Sequence, residues 1–179
     1  MGFFGFLRRG RHERTGYDLY GQAVAAARDP FLYEVLGVPD TLDGRFDLVG
    51  LHAILLIRRL HTLADGKDLA QAVFDAMFND MDVNLREMGV SDIAVGKKVK
   101  AMWEAFNGRA AAYAPGLDSS DPALLQVSLA RNVWRGQAAE GAGKLAEVAL
   151  AQARHLAGQD DAALAAGRVT FLLAATAAP

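Results

Sequence analysis

The stretch Leu48–Ile57 constrains the fold of this chain more than any other feature. It is apolar on almost every side of a helix, and a helix of that kind normally lies in the middle of a bundle. The stretch falls well short of the roughly 20 apolar residues that a transmembrane helix needs. Charged and turn-forming residues precede it. Asp47 as N-cap, with Phe46 and Leu51 as a hydrophobic staple, predicts a helix that begins at Leu48.

The composition favours a helical protein of one domain. The 179 residues are 52% hydrophobic and 22% charged, alanine is abundant, and runs of β-branched residues are missing. We predict an all-α fold, a single-domain bundle of about six to eight helices. An aromatic and basic segment at residues 1–14 precedes the helical domain at residues 15–179. The absence of cysteine excludes disulfides and thiol chemistry, and the net charge of −2 argues against a general nucleic-acid binder.

Caps and turn residues predict where the other helices begin and end. Thr15 is suited to cap the first helix, and Asp68 begins a capping box. Asp-Pro pairs at Asp29-Pro30 and Asp121-Pro122 are suited to start two more helices. Pro115 and its neighbours predict a break between residues 114 and 120. The predicted helices cover about 16–28, 30–36, 48–64, 68–88, 92–110, 122–135, 144–156 and 162–175.

The first 14 residues place phenylalanines directly before a cluster of arginines. Aromatic side chains next to basic ones are typical of a segment that lies in a membrane interface. We therefore predict that Phe3, Phe4, Phe6, Arg8 and Arg9 contact a membrane surface. The alternative is a frayed tail whose phenylalanines dock on the domain.

Acidic and histidine residues form no recognisable metal or catalytic site in the sequence. Asp80 and Asp82 begin like a calcium loop, but Leu85 stands where that loop needs glycine. His52 and His61 lie on opposite faces of one helix, so they cannot bind one ion together. We expect no metal, no cofactor and no catalytic residue. A helical binder or enzyme for an apolar ligand such as quinone or haem, using His52 or His61, is the alternative.

Four methionines recur at helical spacing in the middle of the chain: Met77, Met81, Met88 and Met102. The spacing fits ordinary core packing. It also fits a surface that adapts to apolar helices, because methionine side chains are flexible.

Three lysines, Lys97, Lys98 and Lys100, make the region after the acidic residues basic. They fit a solvated helix face, and they also fit an adaptor that contacts the ribosome or RNA. Phosphate binding usually needs a broader basic surface, so no direct contact with nucleic acid is expected.

Several short motifs, each weak alone, follow one another over about a hundred residues. They are Val38-Pro39-Asp40-Thr41, Gly44-Arg45-Phe46-Asp47-Leu48, Leu51-His52, Arg59-Leu60, Phe74-Asp75, Met77-Phe78-Asn79-Asp80-Met81-Asp82, Leu85-Arg86-Glu87-Met88-Gly89-Val90, Lys97-Lys98-Val99-Lys100 and Phe106-Asn107-Gly108-Arg109 with Tyr113. Through these motifs the chain resembles the ubiquinol–cytochrome c chaperone family. Residues 15–115 are predicted to be the family-like core, and residues 116–179 are predicted to form C-terminal helices without such motifs.

The resemblance implies an all-helical assembly chaperone for ubiquinol–cytochrome c reductase (complex III). Such a protein binds or stabilises newly made cytochrome b and catalyses no reaction. A small partner protein, the ribosome and a membrane surface are further contacts that the resemblance suggests. It implies a bacterial member in the cytoplasm, peripheral on the inner membrane, whose eukaryotic relatives are mitochondrial.

The polar residues of the motifs, with two of the lysines, are the predicted partner-binding surface. They are Asp40, Arg45, Asp47, Asp80, Asp82, Arg86, Lys97, Lys98 and Arg109. Some have a structural alternative, because Asp47 can cap a helix, and Arg45 or Arg86 can pair with a neighbouring aspartate.

Overall fold

Helices build the molecule, and no strand occurs in the part that the computed structural model describes: residues 3–135, 137 and 139–177, with side chains from His12 onward. Nine helices lie in these ranges: α1 (Phe3–Ala27), α2 (Pro30–Glu34), α3 (Leu42–Leu60), α4 (Gly66–Glu87), α5 (Asp92–Ser119), α6 (Pro122–Val133), α7 (Ala142–Ala157), α8 (Asp161–Ala165) and α9 (Ala174–Ala177). The predicted all-α, single-domain bundle is confirmed.

Helix α3 lies in the middle of the bundle and contacts α1, α4, α5, α6 and α7. Leu48, Leu51 and Leu56 on this helix are buried, and so are Ala53 and Ile54. Because its apolar residues surround the axis, every face of the helix is buried against a neighbour. Burial of apolar surface stabilises the fold by about 25 cal/mol per Å². The central position predicted from the apolar stretch is confirmed.

The predicted start of α3 at Leu48 is wrong. The helix begins six residues earlier, where the side chain of Thr41 accepts a hydrogen bond from the backbone N–H of Gly44 at 3.1 Å. A side-chain oxygen that satisfies a free N–H in the first turn is the usual reason for a helix to start. Asp47 is therefore not the N-cap, and it lies inside the helix with its carboxylate buried.

Helix α1 begins at Phe3 and passes through Thr15 without a break, so the predicted cap at Thr15 is wrong. The side chains of residues 3–11, which carry the predicted membrane contacts, lie outside the described residues. Farther along, α1 packs closely on α4 through Gly16. A Cβ atom on Gly16 would lie only 2.6 Å from the backbone of Ala72. The two helices can therefore pack this closely only because residue 16 has no side chain.

Two predicted bounds around α4 and α5 are also wrong. Helix α4 begins at Gly66, so Asp68 lies in its first turn and not at its cap. Helix α5 continues through Pro115 to Ser119, and the predicted break at residues 114–120 is reduced to Ser120, which has a positive φ of 54°. Close packing supports the helix there, because Gly116 lies against the backbone of Leu125 in α6.

The Asp-Pro starts of α2 and α6 and the helix α7 are confirmed, whereas a single helix over residues 162–175 is wrong. Gly167, with φ of 81°, ends the short α8, and residues 168–173 are not helical. The amide of Gln152 bonds the backbone N–H of Leu172 at 2.9 Å and its carbonyl at 2.8 Å. Gln159 does the same at Thr170. Side chains of α7 and of the turn that follows it thus replace the hydrogen bonds of a helix.

No helix in the described part of the chain is long and apolar enough to cross a membrane. The helix with the longest apolar stretch, α3, is surrounded by other helices.

Candidate functional site

An open cleft of about 1260 Å³ lies between the end of α1, α2, the start of α3, the end of α4 and the middle of α5. Its floor is apolar. The floor residues are Val24, Phe46, Val49, Met81, Leu85 and Met102. All of them except Leu85 belong to the hydrophobic core or pack against it, so the floor is continuous with that core. Such a concave apolar surface is suited to hold an apolar ligand or protein segment.

One wall of the cleft carries an ion pair between Asp40 and Arg45. The Arg45 Nε atom lies 2.6 Å from Asp40 Oδ1, and a terminal nitrogen lies 3.2 Å from Oδ2. The Arg45 guanidinium lowers the pKa of the Asp40 carboxyl. Both side chains are exposed, so the pair contributes little to stability. The prediction that Arg45 can pair with a neighbouring aspartate is confirmed.

The opposite wall brings Asp80 and Lys98 to the cleft. Asp80 accepts a hydrogen bond of 2.8 Å from the hydroxyl of Tyr20 in α1. Burial, together with this bond, raises the pKa of the Tyr20 hydroxyl. Lys98 is exposed and makes no ion pair with the described residues, so its charge is available to a ligand.

An ion cluster of the buried Asp47 with Arg109 and the partly exposed Arg135 closes the inner end of the cleft. Asp47 is 0% exposed, with Arg109 2.5 Å from its Oδ1 atom and Arg135 2.7 Å from its Oδ2 atom. Burial raises the pKa of the Asp47 carboxyl, and the two guanidinium groups oppose that rise. The Arg109 guanidinium also lies over the ring of Phe46, 5.3 Å from its centroid. The two arginines line the cleft, whereas Asp47 only supports them.

The predicted partner-binding residues do not all meet at one place. Asp40, Arg45, Asp80, Lys98 and Arg109 line the cleft, and Asp47 lies buried beneath it. The other three predicted residues are absent from the lining: Asp82, Arg86 and Lys97.

Arg86 has a structural role near the turn between α4 and α5. Its Nε atom lies 2.5 Å from Asp82, and it also pairs with Asp92, the first residue of α5. The alternative interpretation of Arg86 as the partner of a neighbouring aspartate is confirmed. Asp82 and Asp92 raise the pKa of the Arg86 guanidinium.

Sequence reasoning missed Arg135 and the floor residues Val49 and Phe46 as parts of the site. A signal for Arg135 was available, because Asp47 stands next to an apolar stretch and a buried carboxylate needs a positive partner. The sequence did not show which arginine it would be. The sequence predicts Phe46 as a staple for Leu51 and does not indicate that its ring lies under the Arg109 guanidinium.

The histidines proposed for a quinone or haem ligand are not at the cleft. His52 is buried in α3, where its Nδ1 atom lies 2.8 Å from the carbonyl oxygen of Leu48 and its ring packs edge-on against Phe171. A carbonyl only accepts, so Nδ1 carries the proton. Within the described ranges, no group of three or more acidic or histidine side chains is placed to hold a metal ion.

A helical bundle with an open apolar cleft and a fixed ionic cluster at its inner end is suited to bind an apolar partner. Comparison with known proteins gives the family. The chain belongs to the ubiquinol-cytochrome C chaperone family, whose sequence model matches residues 34–171. This match includes most of the C-terminal helices.

Two relatives illustrate the similarity. The chain is 26% identical over 140 residues to ubiquinol-cytochrome-c reductase complex assembly factor 1 of Xenopus laevis, a match that covers 76% of this chain and 70% of the frog protein. It also resembles the crystal structure of the Cbp3 homolog from Brucella abortus, with a TM-score of 0.84 and 32% sequence identity. That match covers 97% of this chain and 98% of the Brucella chain.

Proposed function

We propose that this chain is an assembly chaperone for ubiquinol–cytochrome c reductase and that its client is newly made cytochrome b. The observation that carries the proposal is the open apolar cleft, in a chain that belongs to the ubiquinol-cytochrome C chaperone family. The frog relative is named as an assembly factor of the same reductase. The chaperone would cover apolar client surface until assembly and would catalyse no reaction.

Three methionines support a cleft that adapts to its client. Met81 and Met102 lie on the floor, and Met88 lies at the rim with 53% of its surface exposed. Their unbranched thioether side chains can repack around different apolar surfaces. Met77, the fourth residue of this stripe, is buried in the core. Core packing thus describes Met77, and an adaptable surface is the interpretation that fits the three methionines of the cleft.

The size of the cleft fits a short helix. A helix about 10 Å wide that rises 1.5 Å per residue occupies about 120 Å³ per residue. A cleft of about 1260 Å³ would then take about ten residues, or nearly three turns. A transmembrane helix has about 20 apolar residues, so the cleft would cover about half of one.

Photo-crosslinking in cells tests the client and the cleft together. A photoreactive amino acid at Met88 should form an adduct with cytochrome b while that protein is being made. Val127 provides the matched control, because it is 71% exposed on α6 and absent from the cleft lining. Adducts from both positions, or no adduct with cytochrome b from Met88, would contradict the proposal.

A second experiment asks whether the cleft is needed for assembly. In cells that lack the chromosomal gene, Val49→Glu should place a charge on the apolar floor and lower the amount of cytochrome b and assembled reductase. The level of the chaperone itself serves as the folding control. Normal cytochrome b and reductase activity in cells without any chaperone would refute the function.

We also propose that the protein acts at the surface of the inner membrane. This proposal rests on the sequence of Phe3, Phe4, Phe6, Arg8 and Arg9, which suits an anionic lipid surface. The full chain should float with anionic vesicles in a density gradient, and the chain without residues 1–14 should not. Equal flotation of both forms would exclude this segment as the anchor.

The contacts with the ribosome and with a small partner protein stay predictions. Lys97, Lys98 and Lys100 are exposed, which a ribosome contact requires and which a solvated helix face shares. Ribosome binding that falls steeply with added salt, and that charge reversal at these lysines abolishes, would support the contact.

A further inference from the structure

Arg109 is the most deeply buried cation at the inner end of the cleft. Only 12% of its side chain is exposed, and the guanidinium is held between the Phe46 ring and the Asp47 carboxylate. Its Nε atom is buried without a hydrogen-bond partner. Its second terminal nitrogen has no acceptor in the described part of the chain either. A guanidinium has five N–H donors, so most of its capacity is unused.

The neighbouring Arg135 is in a different position. Besides Asp47, it reaches the carbonyl oxygens of Asn132 and Val133 and lies 3.5 Å from Asp43. The two arginines share one fully buried carboxylate, and Arg109 has no other acceptor among the described residues. An apolar ligand that covers the floor would remove the water that now solvates Arg109. The desolvation would be costly unless the ligand supplied an acceptor.

We propose that the cleft takes an amphipathic helix that carries a carboxylate side chain on its apolar face, and that this carboxylate pairs with Arg109. The inference rests on the proposed function, because it describes the segment that a client would place in the cleft. A planar, always charged guanidinium in a fixed orientation is suited to bind a carboxylate, and Arg109 would do so through its terminal nitrogens because its Nε atom is buried.

The other cations of the cleft are less suited to this selection. Arg45 is exposed and already paired with Asp40. Arg28 and Lys98 also line the cleft, but both are exposed on flexible stems, and ion pairs of exposed side chains contribute little in water. Discrimination therefore depends on Arg109, where the ligand itself excludes water.

Binding of two model peptides tests the inference. Each is a fluorescent amphipathic helix of about 18 residues, or five turns, with either Glu or Gln at the centre of its apolar face. With the wild-type protein, the Glu peptide should bind at least about tenfold more tightly in fluorescence anisotropy, the discrimination expected of a buried charged pair. Equal affinities, or no binding of either peptide, would overturn the inference.

Variants locate the effect at Arg109. Arg109→Met should remove the preference for Glu, and Arg135 still balances Asp47 in this variant, which favours correct folding. Arg131→Gln changes an exposed arginine of α6 outside the cleft and should keep the full preference. A preference that survives Arg109→Met would also overturn the inference. The wild-type comparison decides the question even if that variant does not fold.

The outcomes separate this inference from the proposed function. Adducts between the cleft and cytochrome b in cells, with no difference between the Glu and Gln peptides, would leave the chaperone function standing and reject the role of Arg109. A clear Glu preference without any cytochrome b adduct would support the carboxylate-bearing helix and reject the client.

Discussion

Replacing Asp47 by asparagine should destabilise the protein strongly. The substitution keeps the size of the side chain and removes its charge. Asp47 is fully buried between Arg109 and Arg135, so the variant leaves two guanidinium groups without their shared counter-charge. Asp43 cannot replace it, because it lies 3.5 Å from Arg135 and is 78% exposed.

The size of the effect follows from the burial of the partners. Removing one member of a buried ion pair costs about 3–5 kcal/mol. Water compensates part of this loss at Arg135, which is 44% exposed, so Arg109 accounts for the larger share. An unfolding entropy of about 2.1 cal/mol/K per residue gives about 0.38 kcal/mol/K for 179 residues. The melting temperature should therefore fall by about 8–13 °C.

Thermal unfolding followed by circular dichroism at pH 7 measures this shift. Asp43→Asn is the matched control, and it should lower the melting temperature by less than about 3 °C because its carboxylate is exposed. Exchanging both members of one pair, in Asp47→Leu with Arg109→Met, should be less destabilising than Asp47→Leu alone. A shift below about 2 °C for Asp47→Asn, or strict additivity in the double variant, would refute the reasoning.

Three further predictions use other parts of the fold. Gly16→Ala should lower the free energy of unfolding by about 1–3 kcal/mol, because its Cβ would meet the backbone of α4. Gly21→Ala on the same helix has open space and should raise that free energy by about 0.5–1 kcal/mol. Urea unfolding measures both changes. Gln152→Glu should cost about 1–3 kcal/mol in the same assay, because a buried carboxylate cannot donate to the Leu172 carbonyl; an unchanged midpoint would contradict this. Burial lowers the pKa of His52, so the unfolded chain takes up a proton near pH 6.5 that the folded chain does not. Stability should thus fall with decreasing pH below about 6.5, by up to about 1.4 kcal/mol per pH unit, and His52→Gln should remove this part of the pH dependence in urea titrations.

Local patterns were sufficient for much of the fold. The position of α3 follows from an apolar surface on all sides, and Asp29 and Asp121 cap the helices that their following prolines begin. The start of α3 was less determined, because Thr41 and Asp47 are both good caps. Burial decides between them, since Asp47 is needed inside the bundle as the partner of two arginines.

The remaining features depend on contacts between distant parts of the chain. Arg135 reaches Asp47 across 88 positions, and no spacing in the sequence indicates that pairing. A proline usually ends a helix, but α5 continues past Pro115, where it packs closely on α6. In the candidate site, the motif residues predicted much of the polar wall, whereas the apolar floor follows only from how four helices pack.

The non-helical segment over residues 168–173 has a consequence for how the chain is made. Asp29 caps α2 and also accepts the backbone N–H of Ala174, 145 positions later. Residues 170–174 are synthesised after α1 to α8. Asp29 therefore lacks its Ala174 partner during most of translation, whereas Gln152 and Gln159 lack their partners only near its end. The bundle can close fully only after Ala174 has left the ribosome. A nascent chain that stops earlier leaves the amides of Gln152 and Gln159 and one carboxylate oxygen of Asp29 without these partners, which distinguishes it from the finished protein.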